Sequence, residues 1–381
     1  MPIIKTFLIV GNRRWARILI EELCFKLKDN TQVCLIGNPQ NKELKKWLYS
    51  AALSSKVKIF KTIKPLDIKN SGVAFVANSA YLHKSCIKDL LNKGYHVISE
   101  KPVTFSKIET VKLINFAAKK KLQLLCTNTY SFASYLKKLK NDYLKKNKYS
   151  DIYITWADPK REIRYKQSKM YDSSVPIIYD ILPHVANILY ATIGNFKLKL
   201  NSLDVKNGGS KVSIHYKKKN LNLFVTLERN AIKRKRFIKF ISTKNQYSFN
   251  FTYEPGLISI NDHNPFKLDP KWSIRPKPIS TMINSVINFF ELKKKDTRLS
   301  LLTSLLGNEL IDAVAKDYIT NQIQFISNHR KNKKNYNSKK TDIAYALKEL
   351  ESVKNRTVNH VCKNSPLLKL ISSVSGQQII K

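Results

Sequence analysis

Two groups of polar residues in the sequence have the types and the spacing that proton transfer requires. The first group, Glu100-Lys101-Pro102, directly follows a short apolar run at 95–99 that is typical of a buried strand in a parallel sheet. Such a strand delivers the residues after it to the sheet edge where open α/β folds bind ligands. Pro102 fixes its own φ and favours an extended Lys101, so the ammonium group is directed. The alternative interpretation is a solvated surface pair followed by a turn proline.

The second group is Asp180 and His184, which are four residues apart in a stretch with helical periodicity at 177–190. At that spacing the two side chains share one face of a helix. Pro183 is tolerated only in the first turn of a helix, so we expect both side chains near a helix N-terminus. A histidine titrates near neutral pH, and a carboxylate can orient it. A purely structural contact is the alternative, and because a metal site needs a third ligand we predict no metal.

The elements that must position the first group lie in residues 3–126, where short apolar runs alternate with helical stretches. This rhythm predicts a Rossmann-type, doubly wound parallel sheet. In the helix predicted at 106–119, we expect an inward face that consists of Ile108, Val111, Ile114 and Ala118. The predicted strands are 6–10, 33–36, 57–60, 73–76, 96–99 and 122–126.

The turn after the first strand is where such a fold binds a dinucleotide. Gly11 can form the tight turn, and Ala16 is small enough for the following helix to pack on the sheet. Arg13 stands where a second glycine normally lets the backbone approach a pyrophosphate, which weakens the motif taken alone. The predicted dinucleotide-binding residues in this turn are Gly11, Asn12, Arg13, Arg14 and Trp15.

The end of the second strand lacks the acid that normally binds the adenosine ribose, because Gly37 and Asn38 follow the strand. Without that carboxylate a ribose 2′-phosphate meets no repulsion, and Arg13, Arg14 or Lys42 could pair with it. We therefore predict NADP as the preferred cofactor and NAD as the alternative. An exposed helix start is the purely structural interpretation of these arginines.

Beyond the first domain the pattern changes from buried runs to alternation. Residues 151–156 and several runs between 197 and 261 alternate apolar and polar residues, which predicts an open, mainly antiparallel sheet with one exposed face. Helices are predicted at 279–292, 297–318 and 343–350. The predicted domains are a dinucleotide-binding domain at 1–127, an α+β substrate and oligomerisation domain at 128–325, and a basic, partly disordered extension at 326–381.

The charge balance is strongly basic, with 69 lysines and arginines against 27 acidic residues and a net charge of +42. Such a charge is typical of nucleic-acid-binding proteins. Only 12 of the basic residues are arginines, however, and the lysines are spread over the whole chain, whereas base and phosphate recognition favours focused arginines. We therefore expect no specific nucleic-acid partner, while nonspecific binding to polyanions fits the charge.

Three further observations favour a cytoplasmic protein that does not bind membranes. No apolar run approaches the about 18 residues of a spanning helix. The first residues lack the layout of a signal peptide. The five cysteines are odd in number and lack metal-type spacing, which is typical of reduced thiols.

Four motifs together resemble the family of glucose-fructose oxidoreductase, inositol dehydrogenase and the rhizopine-catabolism oxidoreductases (Gfo/Idh/MocA). The turn at 11–17 is similar to the family's G-x-G-x-W-G-R, and the segment at 94–102 is close to its G-K-H-V-x-x-E-K-P signature. The other two motifs are Ala77, Asn78 and His83, which resemble A-T-P-N…H, and Asp180 to His184, which resembles D-x-x-P-H. The resemblance covers about residues 3–325.

The resemblance implies an NAD- or NADP-dependent oxidoreductase that acts on a carbinol or ketone of a sugar, nucleotide sugar or related metabolite. Lys101 would lie beside the nicotinamide and the reacting oxygen, and Asp180 and His184 would complete the acid/base group. His184 or Lys101 would transfer the proton. The open sheet would form a homo-oligomer interface. The remaining implied contacts are Asn38, Ala77, Asn78, His83 and Glu100 for the cofactor, and Asn128, Trp156 and Arg164 for a sugar-like or phosphorylated substrate.

Two other functions remain open at this point. Arg13 and the basic extension would suit a sensor or scaffold that binds a dinucleotide or metabolite after its catalysis has been lost. An imine reductase of secondary metabolism would share the nucleotide-binding architecture. The presence of Lys101, Asp180 and His184 together favours an enzyme that acts on a C–O group.

Overall fold

The first sheet of the computed structural model contains six parallel strands in the Rossmann order β3-β2-β1-β4-β5-β6. The strands are β1 (Thr6–Val10), β2 (Gln32–Ile36), β3 (Val57–Phe60), β4 (Val73–Val76), β5 (His96–Ser99) and β6 (Leu124–Cys126). The helices between them are α1 (Arg14–Lys26), α2 (Lys42–Ser50), α3 (His83–Asn92) and α4 (Lys107–Lys119). The predicted Rossmann-type sheet is confirmed, with strand boundaries within two residues of those expected.

A second sheet contains eight strands in the order β10-β11-β12-β7-β13-β14-β15-β16, and all neighbours are antiparallel except β7 and β12. Its strands are β7 (Tyr149–Asp158), β10 (Lys199–Lys206), β11 (Lys211–Lys218), β12 (Leu221–Arg229), β13 (Lys235–Ser242), β14 (Gln246–Asn250), β15 (Leu257–Ile260) and β16 (Phe266–Lys267). The other elements are the pair β8 (Glu162–Arg164) and β9 (Gln167–Lys169), with α5 (Ser134–Lys138), α6 (Ile177–Ile193), α7 (Pro278–Glu291), α8 (Leu302–Lys331) and α9 (Lys340–Thr357). The predicted mainly antiparallel sheet is confirmed.

The structure describes residues 6–27, 31–63, 72–145, 147–164, 167–171, 175–331 and 340–357. The chain divides into two compact units. The first unit comprises Met1–Lys137, Ala186–Ala191 and Trp272–Asn308, and the second comprises Lys138–Val185, Thr192–Lys271 and Glu309–Lys381. These units differ from the contiguous domains expected at 1–127 and 128–325, because each unit is built from three separate stretches of chain.

The first sheet is buried on both faces, since successive side chains of a strand point to opposite sides. On β1, Phe7 and Ile9 belong to one apolar cluster, whereas Leu8 and Val10 belong to another. The first of these clusters also includes four side chains of α7, namely Met282, Ile283, Val286 and Phe290. Helix α7, which begins 152 residues after the end of β6, therefore completes the core of the first unit.

The inward face predicted for α4 is wrong at three of its four residues: Ile114 packs against the core, but Ile108, Val111 and Ala118 are exposed. Ile108 and Val111 are 69% and 36% exposed, while Thr110, Leu113 and Ala117 are buried. The orientation of the helix is set by Thr110, whose hydroxyl lies 2.8 Å from the Thr104 hydroxyl and 2.8 Å from Asn308 Oδ1. Because a buried hydroxyl must keep its hydrogen bonds, the helix turns its threonine inward and leaves Ile108 in solvent.

The region after residue 325 differs from the expected appendage. Helix α8 continues to Lys331, and α9 packs within the second unit. On α9, Tyr345, Ala346, Glu349 and Leu350 are all buried. Residues 332–339 and 358–381 lie outside the described part. A buried face on α9 means that this stretch is part of the folded unit and not a loose tail.

None of the helices that the structure describes is both long enough and apolar enough to cross a membrane. The cysteines at positions 24, 34, 86 and 126 are buried and carry free thiols, and Cys362 lies outside the described residues.

Candidate functional site

The loop after β1 lies directly against the loop after β4. Gly11 has a φ of +128°, and a Cβ at this position would come within 2.5 Å of the Ala77 carbonyl oxygen and 2.9 Å of the Asn78 nitrogen. Only glycine permits both this backbone conformation and this approach. The predicted tight turn at Gly11 is therefore the point at which two loops of the carboxyl edge meet, as a dinucleotide site requires.

Arg13 occupies the second glycine position without strain, because its φ of −82° is ordinary for any residue. Its side chain makes no capping hydrogen bond to the first turn of α1. Backbone N–H groups at such a helix start suit a phosphate. The Asn12 carbonyl oxygen accepts a hydrogen bond from Arg17 Nε at 3.4 Å, which restrains the turn.

Asn78 provides a direct test of whether a ligand fits this edge. No donor among the described residues reaches its buried Oδ1. A buried amide oxygen without a hydrogen bond is costly, and a bound dinucleotide could supply the missing donor. Together with the cradle at Gly11 and the start of α1, this oxygen shows that the residues present fit a dinucleotide.

The end of β2 carries no carboxylate at the expected ribose position. Gly37 is followed by exposed Asn38, whose Oδ1 accepts a hydrogen bond from the Gln40 nitrogen at 3.0 Å. Asn41 caps α2 by accepting from the Leu44 nitrogen at 3.0 Å. The strand end is thus neutral, in agreement with the sequence.

His83 links the loop after β4 to the loop after β5. Its Nδ1 lies 2.7 Å from the Pro102 carbonyl oxygen and its Nε2 lies 3.2 Å from the Asn78 carbonyl oxygen. The ring is 1% exposed, and burial lowers the pKa of His83 below its ordinary value. A neutral imidazole therefore holds the carbonyl of Pro102, the residue that follows Lys101, in place. His83 was predicted to contact the cofactor, and in the structure it holds the loops that would do so.

Glu100 lies at the carboxyl end of β5, and its backbone N–H donates to the Val76 carbonyl at 2.9 Å. Its carboxylate accepts a hydrogen bond from the Thr127 hydroxyl. Burial raises the pKa of Glu100 to about 7, against the opposing effects of Thr127, Trp15 and Lys101. A carboxyl group that titrates near neutral pH therefore directly precedes Lys101. The sequence did not reveal this property, because it depends on burial and on a threonine 27 residues away.

Asp180 and His184 both lie on α6, as predicted. The expectation that Pro183 occupies the first turn is wrong, because the helix begins at Ile177 and Pro183 lies inside it. The early start has a structural cause. The Asp180 nitrogen donates to the Pro176 carbonyl at 3.1 Å, and the Ile177 nitrogen donates to Glu349 Oε1 at 3.1 Å. Asp180 lies in the first turn.

Asp180 forms an ion pair with a fully buried arginine. Arg229 Nη2 donates to Asp180 Oδ2 at 2.9 Å, and Arg229 Nη1 donates to the Val175 carbonyl at 2.7 Å. Burial alone lowers the pKa of Arg229, but Tyr345, Asp180 and Glu349 raise it above its ordinary value. The guanidinium is therefore charged, and it forms an ion pair with the Asp180 carboxylate.

His184 stacks on Trp156, with ring centroids 5.1 Å apart and the planes 9° from parallel. The Trp156 indole N–H donates to Asp158 Oδ2 at 3.0 Å, and the guanidinium of Arg236 lies 3.7 Å from the Trp156 ring centroid. Arg236 also donates to Asp158. Trp156, predicted as a substrate residue, is buried and fixes the plane of His184. Sequence reasoning missed Arg229, Arg236 and Asp158, which lie on strands far from α6 in the chain.

Two other predicted substrate residues have distinct positions. Asn128 is 5% exposed and its Nδ2 donates to the carbonyls of Arg298 and Ser300, each at 2.9 Å, so its amide group holds a loop. Arg164 lies in β8, and its side chain is outside the described part. Within the described ranges, no three His, Cys, Asp or Glu side chains come together as metal ligands.

Comparison with known proteins agrees with this geometry. Residues 6–128 match the family model described as "Oxidoreductase family, NAD-binding Rossmann fold" (GFO_IDH_MocA). The predicted family, its NAD(P)-binding fold and its oxidoreductase class are thereby confirmed. A comparison with curated proteins gives no match.

Solved structures of the same fold extend over both units. The dehydrogenase MviM from Clostridium difficile is 17% identical with a TM-score of 0.63, over 82% of this chain and 99% of that chain. The 3-ketoreductase KijD10 from Actinomadura kijaniata, in complex with NADP and TDP-benzene, is 15% identical with a TM-score of 0.65, over 82% and 97%. UDP-N-acetylglucosamine 3-dehydrogenase GnnA from Acidithiobacillus ferrooxidans is 11% identical with a TM-score of 0.57, over 82% and 95%. These likenesses establish the fold.

Proposed function

We propose that this chain is an NADP-preferring oxidoreductase that acts on a carbinol or ketone of a sugar, in particular a nucleotide sugar. Lys101, Asp180 and His184 form its acid/base group. Nucleotide sugars are favoured as substrates because similar folds include a UDP-N-acetylglucosamine 3-dehydrogenase and a 3-ketoreductase crystallised with TDP-benzene. The basic charge of the chain also suits the diphosphate of such a substrate.

The observation that carries the proposal is the arrangement at the carboxyl edge of the first sheet. Gly11 lies against the loop after β4, and His83 links that loop to the loop that bears Lys101. Lys101 is thereby held at the same edge as the dinucleotide-binding turn. An ammonium group at this place can donate to the oxygen at which the C–O bond order changes.

Each side chain has a role that follows from its surroundings. A dinucleotide bound at the turn after β1 would supply or accept the hydride. Lys101 holds the substrate oxygen, and either Lys101 or His184 moves the proton that must reach or leave it. Trp156 keeps the imidazole of His184 in one plane. Asp180, which pairs with Arg229, lies one helical turn before His184 on α6 and would orient the imidazole.

The preference for NADP rests on the neutral end of β2. Asn38 places no carboxylate where a 2′-phosphate would bind, and Arg13 and Arg14 begin the neighbouring helix α1. A charge-assisted hydrogen bond from an arginine would favour the phosphate. The homo-oligomer expected through the second sheet stays a prediction.

The first experiment is a titration of the purified protein with NADPH and with NADH, followed by the tryptophan emission to which Trp15 contributes. We expect NADPH to bind at least about tenfold more tightly, which is a difference of one charge-assisted contact. Turnover is then measured with UDP- and TDP-linked 3-keto sugars. If neither dinucleotide binds, the sensor or scaffold function takes precedence. Binding without turnover on sugars, but with turnover on cyclic imines, would favour an imine reductase.

The assignment of Lys101 is tested by Lys101→Ala. We expect kcat to fall by about 10²- to 10⁴-fold, the usual contribution of a positioned acid/base group, while the dissociation constant of NADPH stays within about threefold. Lys88→Ala, an exposed lysine on α3, is the matched control and should behave like the wild type. Turnover that survives in Lys101→Ala would exclude this residue from the acid/base group.

A further inference from the structure

A buried polar cluster in the second unit surrounds Glu349 of α9. The side chain is 1% exposed, and its two carboxylate oxygens accept hydrogen bonds from five donors. Oε1 accepts from the Ile177 nitrogen at 3.1 Å, from Arg229 Nη1 at 3.4 Å and from the Tyr345 hydroxyl. Oε2 accepts from Gln322 Nε2 at 2.7 Å and from the Tyr318 hydroxyl. We call Glu349 and these five donors the Glu349 cluster.

The Glu349 cluster reaches the proposed acid/base residues by two routes. Arg229 donates through Nη1 to Glu349 and through Nη2 to Asp180, so one guanidinium joins the two carboxylates. Ile177 is the first residue of α6, and Glu349 therefore also holds the start of the helix that carries Asp180 and His184. A change at Glu349 would therefore alter both the ion pair of Asp180 with Arg229 and the hydrogen bonding of the first residue of α6.

The turn between β10 and β11 allows α8 and α9 to approach it closely. Gly208 has a φ of +64°, and a Cβ there would come within 2.6 Å of the Asp342 carbonyl oxygen and 3.0 Å of Ala346 Cβ. Gly209 has a φ of +97°, and a Cβ there would come within 2.7 Å of the Tyr318 hydroxyl. Two consecutive glycines thus let the turn between β10 and β11 lie against α8 and α9.

We propose that Glu349 is a positioning residue for the acid/base group: it holds Arg229 and the first turn of α6, and through them fixes Asp180 beside His184. This inference rests on the proposed function of Asp180 and His184. Without Glu349, the buried guanidinium keeps Asp180 as its one carboxylate partner among the described residues. Asp180 is then drawn toward Arg229 and away from its role at the imidazole.

The experiment is a double-mutant cycle in the full chain with Glu349→Gln, Asp180→Asn and the two combined. Glu349→Gln should lower kcat by about 3- to 100-fold, the range of coupling between residues of one network, with little change in KM or in NADPH affinity. In the Asp180→Asn background the same change should cost less than about twofold. Glu351→Gln, an exposed glutamate on the same helix, is the control and should match the wild type. Losses that multiply in the double variant would overturn the proposal.

A measurement that needs no turnover separates this inference from the proposed function. The titration of the His184 imidazole is followed by NMR, with its signal identified by its loss in His184→Gln. Glu349→Gln should shift the midpoint in the wild-type background and leave it unchanged in the Asp180→Asn background. A wild type without sugar turnover would refute the proposed function, and the NMR titration would still decide the role of Glu349. An unchanged midpoint in Glu349→Gln would overturn that role.

Glu349→Asp is a second variant that tests the proposal if Glu349→Gln does not fold correctly. It keeps the charge and shortens the side chain, so it should recover at least half of the kcat lost in Glu349→Gln if the charge on Arg229 is what positions Asp180. No recovery in Glu349→Asp, together with an unshifted His184 titration, would assign Glu349 a role in folding only.

Discussion

Each unit contains a glutamate linked to a proposed acid/base residue, and the two glutamates have different surroundings: Glu100 is partly buried and Glu349 is fully buried. Glu100 of the first unit directly precedes Lys101 and accepts a hydrogen bond from the Thr127 hydroxyl. Glu349 of the second unit receives hydrogen bonds from five donors, among them Arg229. Burial raises the pKa of both carboxyl groups, and at Glu349 the charge of Arg229 is the main opposing effect.

The different surroundings determine what each carboxyl group can do. A pKa of about 7 lets Glu100 gain or lose a proton at working pH, so it suits the edge where the reaction takes place. Glu349 is surrounded by donors, which hold its carboxyl group in a single geometry. The first unit thus keeps a group that titrates, and the second keeps a group that fixes its neighbours.

The largest expected effect comes from breaking the second arrangement with Arg229→Met. This change leaves Asp180 and Glu349 without their shared cation, and we expect the free energy of unfolding to fall by about 3–5 kcal/mol. Urea denaturation followed by circular dichroism measures it. Lys235→Met, at an exposed position of β13, should stay within about 0.5 kcal/mol of the wild type. A loss below about 1 kcal/mol in Arg229→Met would mean that the cluster does not depend on this charge.

A smaller effect tests the core of the first unit. Leu113→Ala removes a buried side chain of α4 and should lower the free energy of unfolding by about 2–5 kcal/mol. Ile108→Ala on the same helix, where the side chain is 69% exposed, should change it by less than about 0.5 kcal/mol. The same denaturation experiment compares the two alanine variants. The opposite ranking would restore the inward face predicted from the sequence.

The smallest effect concerns Glu100. Its folded-state pKa of about 7 lies above the ordinary value of 4.5, so the folded state binds the proton more tightly than the unfolded state. The resulting stability is fully present below pH 4.5 and is lost as the pH rises through 7. Glu100→Gln removes this dependence. Between pH 5 and 8 the wild type should therefore lose about 1–3 kcal/mol relative to the variant.

Melting temperatures of the wild type and of Glu100→Gln across that pH range measure this difference in stability. In turnover assays, Glu100→Gln should also lose any limb of the pH profile near 7 that comes from this carboxyl group. Parallel curves for the two proteins would show that Glu100 does not titrate in this range.

The sequence predicted the first unit well because its signals are local. Each strand is a short apolar run, and Gly11 and Lys101 come at the ends of such runs. The face of α4 was not predictable, because apolar side chains occur on both sides of the helix. The choice depends on Thr110 and its contact with Asn308, which lies 198 residues away.

The second unit was predicted in outline only. The D-x-x-P-H pattern located Asp180 and His184, and alternation located the sheet. The partners that hold these residues come from distant segments: Arg229 is 49 residues from Asp180, and Glu349 is 172 residues from Ile177. A buried ion pair has no signature in the local sequence, because the residue type alone does not show whether an arginine is buried or exposed. The helix predicted at 343–350 lies within α9, whereas the packing of α9 in the second unit depends on such distant partners.

The position of Glu349 also has a consequence for biosynthesis. The ribosome adds Glu349 120 residues after Arg229, which takes roughly 6–24 s at a rate of about 5–20 residues per second. During that interval the last strands of the second sheet, β13 to β16, are added, but the Glu349 carboxylate that pairs with the buried arginine is not yet present. The nascent second unit therefore reaches its final charge balance only when α9 arrives at the glycine turn that receives it.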